Sequence, residues 1–596
     1  MLRWTVSACF ALVLVLNAPT GARAQNAEGT WKLTYIANGF ENAMAIVKLT
    51  AKDGKVSGEL VAATPRIANL ALKSVTQEGS TLNVTLTNGN FDFVYEANVP
   101  AGAPKKLNGS MAQDTNLFPA LLTLTEETAI DAKSAAKVLD CPPLQQARAL
   151  ANRAATLRFQ AAQSKDAEKK KTLMEEAADA DKAAKKQTPM LYREVLEKHA
   201  DSPAVFEASL GLLRTAQATE AKIEDVKAWA TAGAAAAKTY GPRFEADFAT
   251  QIASVLLGQD AYAKLAIGYA RQAEKSLSAK TAPAEQVRVL SIIVRALKSN
   301  GEDAEAKTYD VRLVKLETEL DRDYMTKMPP FKGTAFTGRT AKSDKAAFME
   351  LFTGATCPPC VAADLAFDVL QKSYKPTDLV LIQYHVHIPG PDPMTNLDTL
   401  ARWDYYRKAY PGKVGGVPSS IFNGSPQGGG GGGVANAEKK YEDYRKIIEP
   451  LLEADAGANL TASAIRKGDR VNIQVNVDKL TGAGTDKKLR ILLAEETVRY
   501  AGSNKIRLHH NVVRAFPGGV EGKALTEAAS KHNASIDLAE LRTGLNKYLS
   551  EYEATVRPFA NPARPMEFAN LRVIAFVQDE MTHEILQAVQ VRVETK

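Results

Sequence analysis

Between Gly29 and about Thr125, apolar and polar residues alternate in short runs, and a period of two predicts strands with one buried face. The runs are Trp31–Ile36, Ala45–Leu49, Val56–Leu60, Leu82–Leu86 and Phe91–Tyr95, with Asp53-Gly54, Glu78-Gly79 and Asn88-Gly89 as hairpin dipeptides. They predict an antiparallel β-sandwich or small barrel over residues 25–128. From Pro142 to about Thr326 the period lengthens. Tyr192, Val195, Leu196 and His199 fall at i, i+3, i+4 and i+7, one stripe of a helix. Asp201-Ser202-Pro203 ends it and starts another through Val205, Phe206, Leu210 and Leu213, since proline suits a first helical turn. Further helices are expected over Val226–Thr239, Phe244–Leu257 and Ala284–Lys298, giving a helical solenoid-like domain over 142–326.

Residues 327–345, rich in Pro, Gly and Thr, read as a linker. Beyond them Phe348–Phe352 suits a buried strand, Cys357-Pro358-Pro359-Cys360 opens a helix continuing through Leu365 and Leu370, and Leu379–His387 is a second buried strand. Helix Thr399–Tyr410, a strand after Val417-Pro418 and helix Ala435–Leu452 complete an α/β domain over 346–455. The six glycines Gly428–Gly433 predict a mobile surface loop. From 456 to 596 the β pattern returns in Asn459–Arg466, Arg470–Asp478, Lys488–Glu495, Glu553–Arg557, Leu571–Gln578 and Leu586–Glu594. This predicts a β-sandwich interrupted by a partly helical insertion, Gly518–Tyr548. The whole is a multidomain α+β chain.

Two short likenesses bear on the first half. Gly29-Thr30-Trp31 resembles the opening motif of lipocalin-like barrels, which implies a ligand cavity; an accessory β-domain with a filled interior accounts for the same residues. The helices flanking Pro203 resemble a tetratricopeptide (TPR)-like helix-turn-helix, although no clean repeat of about 34 residues runs through the region.

The N-terminus adds a destination. Met1-Leu2-Arg3-Trp4, an apolar run from Ala8 to Leu16, and Ala22-Arg23-Ala24 stand in the order of a cleavable secretory signal, residues 1–24. No run of about 20 apolar residues follows Gln25 and no lipid-anchor cysteine follows the apolar core, so a periplasmic or secreted chain without a transmembrane helix is expected. The net charge of +7 falls to +5 when Arg3 and Arg23 leave. Lys and Glu are interleaved along helices rather than gathered with aromatics, which weighs against a nucleic-acid partner.

Of four cysteines Cys9 leaves with the signal, and Cys141, Cys357 and Cys360 remain. Three are too few for a disulfide framework. A close pair in a cysteine-poor exported chain points instead to reactivity. The nucleophile in thiol exchange is the thiolate, and a helix start, with its unpaired N–H groups, favours negative charge. Cys357 is therefore assigned as nucleophile and Cys360, one turn behind, as resolving thiol. Pro358 and Pro359 suit the first turn, while each removes a donor that would otherwise face the sulfur. Cys141, in Asp140-Cys141-Pro142-Pro143, reads as a buried inert thiol or as a partner for another chain.

With these elements in this order, the segment from about Phe348 to Leu452 resembles a thioredoxin-family domain, and its C-P-P-C resembles the centre of exported TlpA-type thiol-disulfide oxidoreductases. Glu350-Leu351-Phe352-Thr353-Gly354, Tyr384-His385-Val386-His387 and the Pro418-to-Gly424 segment resemble a branch of secreted thioredoxin-like proteins. Leu492–Glu496 and His509–Arg514 resemble the C-terminal β-domain of thioredoxin-like outer-membrane-associated proteins. The resemblance implies a cis bond before Pro418, substrate binding at Val417 and Pro418, and disulfide exchange without a cofactor. The partners it implies are protein thiols or disulfides and an unidentified redox partner. Two departures stand out: Thr356 replaces the usual Trp before the first cysteine, and Leu351 occupies the place of the family's buried acid. Glu350 fills that role if the strand register shifts by one.

Two other readings compete. Cys357 and Cys360 with His385 or His387 offer thiolate and imidazole ligands for Zn or Cu. Alternatively the chain is a non-catalytic cell-envelope scaffold in which the dithiol is incidental.

Overall fold

The computed structural model describes residues 27–596 apart from 53–54, 90, 114–115, 134, 165, 279–280, 557–558, 560 and 562. The signal segment and the Asp53-Gly54 turn lie outside the described residues. The chain divides into two compact units, Met1–Thr318 and Glu319–Lys596.

The first unit begins with β1 (Gly29–Ala37), β2 (Phe40–Lys52), β3 (Lys55–Ala63), β4 (Ala71–Glu78), β5 (Thr81–Thr87), β6 (Asp92–Asn98), β7 (Lys106–Gln113) and β8 (Asn116–Leu124), the five alternating runs falling on β1, β2, β3, β5 and β6, with a short β9 (Ala136–Val138) beside β2. Their order is β3-β2-β1-β8-β7-β6-β5-β4, with each described neighbour pair antiparallel. A Cβ on Gly58 of β3 would stand 2.6 Å from Val75 Cγ2 of β4, so the end strands face each other and the sheet is a nearly closed barrel. Alternate residues point inward. Trp31, Leu33, Met44, Val84, Tyr95 and Leu122 fill the interior with side chains.

Helices α1 (Pro142–Gln163), α2 (Ala167–Lys198), α3 (Ala204–Thr215), α4 (Ile223–Lys238), α5 (Pro242–Leu257), α6 (Ala263–Lys275), α7 (Pro283–Ser299) and α8 (Asp303–Lys327) follow. Their core is Val205, Phe206, Leu213, Phe248, Ile252, Leu290 and Leu297, the apolar faces that the 3.6-residue period marks. Among the described residues, no helix is long and apolar enough to cross a membrane.

The second unit contains β10 (Ala347–Thr353), α9 (Val361–Ser373), β11 (Leu379–His385), α10 (Leu397–Ala409), β12 (Ser419–Phe422), β13 (Ser425–Pro426) and α11 (Ala437–Leu452). It continues through β14 (Asn459–Lys467), β15 (Arg470–Asp478), β16 (Gly484–Arg499), β17 (Leu508–Ala515), β18 (Lys523–Leu525), β19 (Ser530–Asp537), α12 (Leu538–Thr555), β20 (Leu571–Asp579), β21 (Ile585–Arg592) and β22 (Glu594–Thr595). One sheet runs β13-β12-β10-β11-β17-β16-β20-β21. β10 lies between parallel β11 and antiparallel β12, and β11 meets β17 in parallel at Gln383 and Val512. The division expected at residue 456 is thus bridged by a continuous sheet. A second sheet, β19-β15-β14-β22, covers the far half through Val471, Ile473 and Val475 against Ile491, Leu493 and Val573.

Three other expectations change. The strand expected at Glu553–Arg557 is, through Thr555, the end of α12, and Arg557 lies outside the described residues. The expected insertion contains β18 and β19 before α12, and β19 pairs with β15. The expected linker is a docked strap. Phe331 and Phe336 pack against the core between β10, α9 and α11, and Arg339 pairs with Asp378 at 2.8 Å.

Candidate functional site

The period of two in β10 sorts the residues around the dithiol. Ala347, Met349 and Leu351 pack with α9 and α11, whereas Phe348 and Phe352 pack with Trp403 and Tyr406 of α10. Glu350 shares the α10 face. Its carboxylate accepts from Arg402 Nε at 2.8 Å, Arg402 Nη2 at 3.0 Å and the Tyr384 hydroxyl at 3.0 Å, and also from Tyr406. The one-residue slip that would turn Glu350 toward α9 does not occur, so it does not support the dithiol as expected.

The dithiol lies at the end of β10. Cys357 is the cap residue before a short 3-10 turn, Pro358–Cys360, that leads directly into α9. Cys357 N–H donates to the Gly354 carbonyl at 3.0 Å, and Cys360 N–H to the Cys357 carbonyl at 3.2 Å. The two sulfurs form a disulfide with Cα atoms 5.4 Å apart. Val417–Pro418 is a cis peptide bond, and the Val417 carbonyl oxygen lies 3.7 Å from Cys357 Sγ. Pro358 and Pro359 are exposed, while Cys357 is 1% and Cys360 0% exposed.

Two segments distant in sequence wall the site. In the β16–β17 connection, Asn504 N–H donates to the Ala355 carbonyl at 3.2 Å and Asn504 Nδ2 to the Gly354 carbonyl at 3.2 Å. The expected mobile glycine loop is anchored to the dithiol turn instead. Gly432 N–H donates to the Pro359 carbonyl at 2.7 Å, and Ala362 N–H donates to the Gly432 carbonyl at 2.9 Å. A Cβ on Gly431 would stand 2.2 Å from the Pro359 oxygen, a close approach that glycine alone permits.

Buried ionisable groups surround the turn. Asp364, four residues after Cys360 on α9, lies on the face where i and i+4 side chains meet. It accepts from Thr353 Oγ1 at 3.0 Å and Gln383 Nε2 at 3.3 Å. Burial pushes its carboxyl up to about 7, against the lowering pull of His385. Asp392 accepts from Ala355 N–H at 2.6 Å, His385 Nδ1 at 2.8 Å and Met394 N–H at 2.9 Å. Burial opposes its charge, but His385 and these donors outweigh it and hold the carboxyl below its ordinary value. Asp392 thus ties the residues before Cys357 to the end of β11.

His385 and His387 part company. His385 is buried at 4.9 Å, ring to ring, from His509. His387 stacks on Tyr552 at 3.7 Å, its Nδ1 accepts from Asp392 N–H at 3.0 Å, and its Nε2 donates to the Tyr548 hydroxyl at 2.9 Å. Burial lowers His387 to about 4 and His509 to about 3. Both rings are therefore neutral at pH 7. Among the described residues no three His, Cys, Asp or Glu side chains form a metal-binding group, and the proposed Cys/His ligand set is not assembled.

Asp364, Asp392, Asn504 and the glycine anchor were missed by sequence reasoning. A signal existed for Asp364, as an acid one turn beyond Cys360 in the apolar first half of α9.

No protein-family model and no curated protein sequence matches the chain. A crystal structure of a protein from Agrobacterium tumefaciens is similar at 16% identity over 43% of this chain and 96% of that one, with a TM-score of 0.26. A likeness of that size carries no argument about fold or function.

Proposed function

We propose that this protein is an exported thiol-disulfide oxidoreductase that exchanges disulfides with cell-envelope proteins through Cys357 and Cys360. The observation that carries the reading is one juxtaposition: a Cys357–Cys360 disulfide at a helix start, with the carbonyl before cis Pro418 at 3.7 Å from Cys357 Sγ. Supporting it, β10 lies between parallel β11 and antiparallel β12, with α9 and α11 on one face and α10 on the other. We read that order as thioredoxin-like. The export reading rests on residues 1–24, and helices 142–326 are read as a TPR-like stack.

The exchange balances as follows. A substrate thiolate attacks Cys357 Sγ, the 357–360 bond breaks, and Cys360 leaves as a thiolate that takes a proton. A second substrate thiol, losing its proton, attacks the mixed disulfide and Cys357 leaves. Two electrons and two protons pass from the substrate dithiol to the protein, and the reverse sequence oxidises it. The developing Cys357 thiolate is stabilised by its place at a helix start, and the Val417 carbonyl offers an acceptor to an incoming main chain.

Turnover of a model protein disulfide by the full-length protein tests this. Exchange that disappears in Cys357→Ser, with a mixed disulfide trapped by Cys360→Ser, is the expected result. Absence of both overturns it. A second reading, a scaffold with a structural disulfide, draws on the burial of both sulfurs and gains from that negative result.

A further inference from the structure

Resting on that redox reading, we infer that Asp364 and His385 hold one exchangeable proton beneath the dithiol, and that Asp364 hands it to Cys360 when the disulfide opens. Attack at Cys357 makes a thiolate of Cys360, a residue with 0% exposure, and a buried charge without a partner is costly. Helical spacing places a donor beside it. Cys360 has helical backbone and caps α9, so Asp364 at i+4 lies one turn on along the same face, and helical side chains lean toward the N-terminus, here toward Cys360. From the sheet, Thr353 Oγ1 and Gln383 Nε2 each donate to one carboxyl oxygen, at 3.0 and 3.3 Å, and fix it there. Burial pushes this carboxyl up to about 7, so that below neutral pH it carries a proton.

His385 is the second holder. It stands opposite Thr353 in the β10–β11 register, so both side chains emerge on the α9 face. Its Nδ1 donates to Asp392 at 2.8 Å, which leaves Nε2 as the nitrogen open to a proton. That atom is buried and has no hydrogen-bond partner among the described residues. A buried orphan of this kind calls for an explanation, and a proton that rests on Asp364 or on His385 gives one. On reduction the 357–360 bond breaks, its electron pair goes to Cys360, and that sulfur takes the Asp364 proton. Oxidation reverses the step, the Cys360 thiol returning its proton to the Asp364 carboxylate.

Reduction by dithiothreitol, timed in the full-length protein from about pH 5.5 to about pH 9, is the test. Dithiothreitol supplies both electrons and closes into its own disulfide, and its titration cancels in the ratio of two rates. The other ionisable groups near Asp364 or the groups it touches are Asp368 and Lys372 on α9, Asp392 before α10, His509 and His510 on β17, Tyr324 on α8 and Tyr444 on α11, and all stay in every variant. Asp364→Asn keeps both hydrogen bonds, since its Oδ1 accepts from Gln383 and its Nδ2 donates to the Thr353 hydroxyl, but it is no acid. We expect it to be reduced roughly tenfold or more slowly than wild type near pH 6, with the two rates converging near pH 8.5. Asp364→Glu should restore the pH dependence. His385 lowers the Asp364 carboxyl, so in His385→Gln the bend in the profile should move to higher pH, and this variant carries the test if the amide does not fold. A flat ratio of wild type to Asp364→Asn overturns the inference and leaves the redox reading standing; a bend that stays in place in His385→Gln overturns the part given to His385. A wild type that dithiothreitol reduces, but that turns over no protein disulfide, removes the redox reading and the role in exchange together.

Discussion

Cys141 and Cys357 begin the same way and end differently. Each precedes two prolines and caps the start of a helical segment, α1 in the first unit and the turn into α9 in the second. Each is buried. Cys141, however, packs into the helical core beside Leu139 and Leu144, is free, and has its thiol pushed up by burial. Cys357 has a partner sulfur one turn on, a carbonyl at 3.7 Å and an acid, Asp392, gripping the residues before it. A helix start favours a thiolate only where desolvation does not win. The Cys-Pro-Pro motif is therefore not the site; its surroundings are.

The largest effect expected from this comparison is on exchange itself. Cys357→Ser should lower turnover on the order of a thousandfold, whereas Cys141→Ser leaves it unchanged; equal losses from the two would erase the distinction. Next comes pH. Asp364, raised from 3.8 to about 7 by burial, holds a proton in the folded chain where the unfolded chain has lost it. Its contribution is whole below pH 4 and is lost as pH rises through 7. Asp364→Asn, which cannot ionise, is expected to match wild type in urea unfolding near pH 4 and to exceed it by a few kcal/mol near pH 8. His387 and His509, lowered by burial, destabilise the fold as pH falls below 6.5, but they do so in both proteins and cancel in the difference.

Smaller is the stability cost of Cys141→Ser, about 1–3 kcal/mol for a hydroxyl placed in an apolar core. A denaturation midpoint unchanged from wild type would show that the Cys141 site is not the tight packing described. Smallest is the effect of prolines. Pro359→Ala returns one N–H to the first turn and is expected to raise the Cys357 thiolate fraction less than tenfold, about 1 kcal/mol, read from thiolate absorbance in the reduced protein. The matching Pro143→Ala moves no chemistry.

The legible parts of the fold were those with strong periodicity. Of the stripe Tyr192–His199, Tyr192, Val195 and Leu196 lie within α2 and His199 is its C-cap, Val205–Leu213 lies within α3, and Arg470–Asp478 is β15 end to end. Strands β4, β7 and β8 escaped notice for separate reasons. β4 is largely exposed and carries little apolar alternation, β7 contains Gly109 and Asn108, and β8 contains Pro119. The Cys357–Cys360 pair was legible from residue type and short spacing, and Val417-Pro418 from the resemblance to a thioredoxin-family segment. The acid partner was not. Glu350 and Leu351 are neighbours in sequence, and only the strand register decides which faces α9.

By itself, the sequence determined the helix starts, the hairpin-rich first domain, the order of elements around Cys357 and the closeness of two sulfurs three residues apart, since all of these follow from local backbone geometry. Tertiary structure decided the rest: that β11 and β17 join one sheet, that Asp392 reaches back to Ala355, and that glycines some 70 residues downstream lie against Pro359. Such contacts depend on packing between elements far apart in the chain, where no period or spacing leaves a trace.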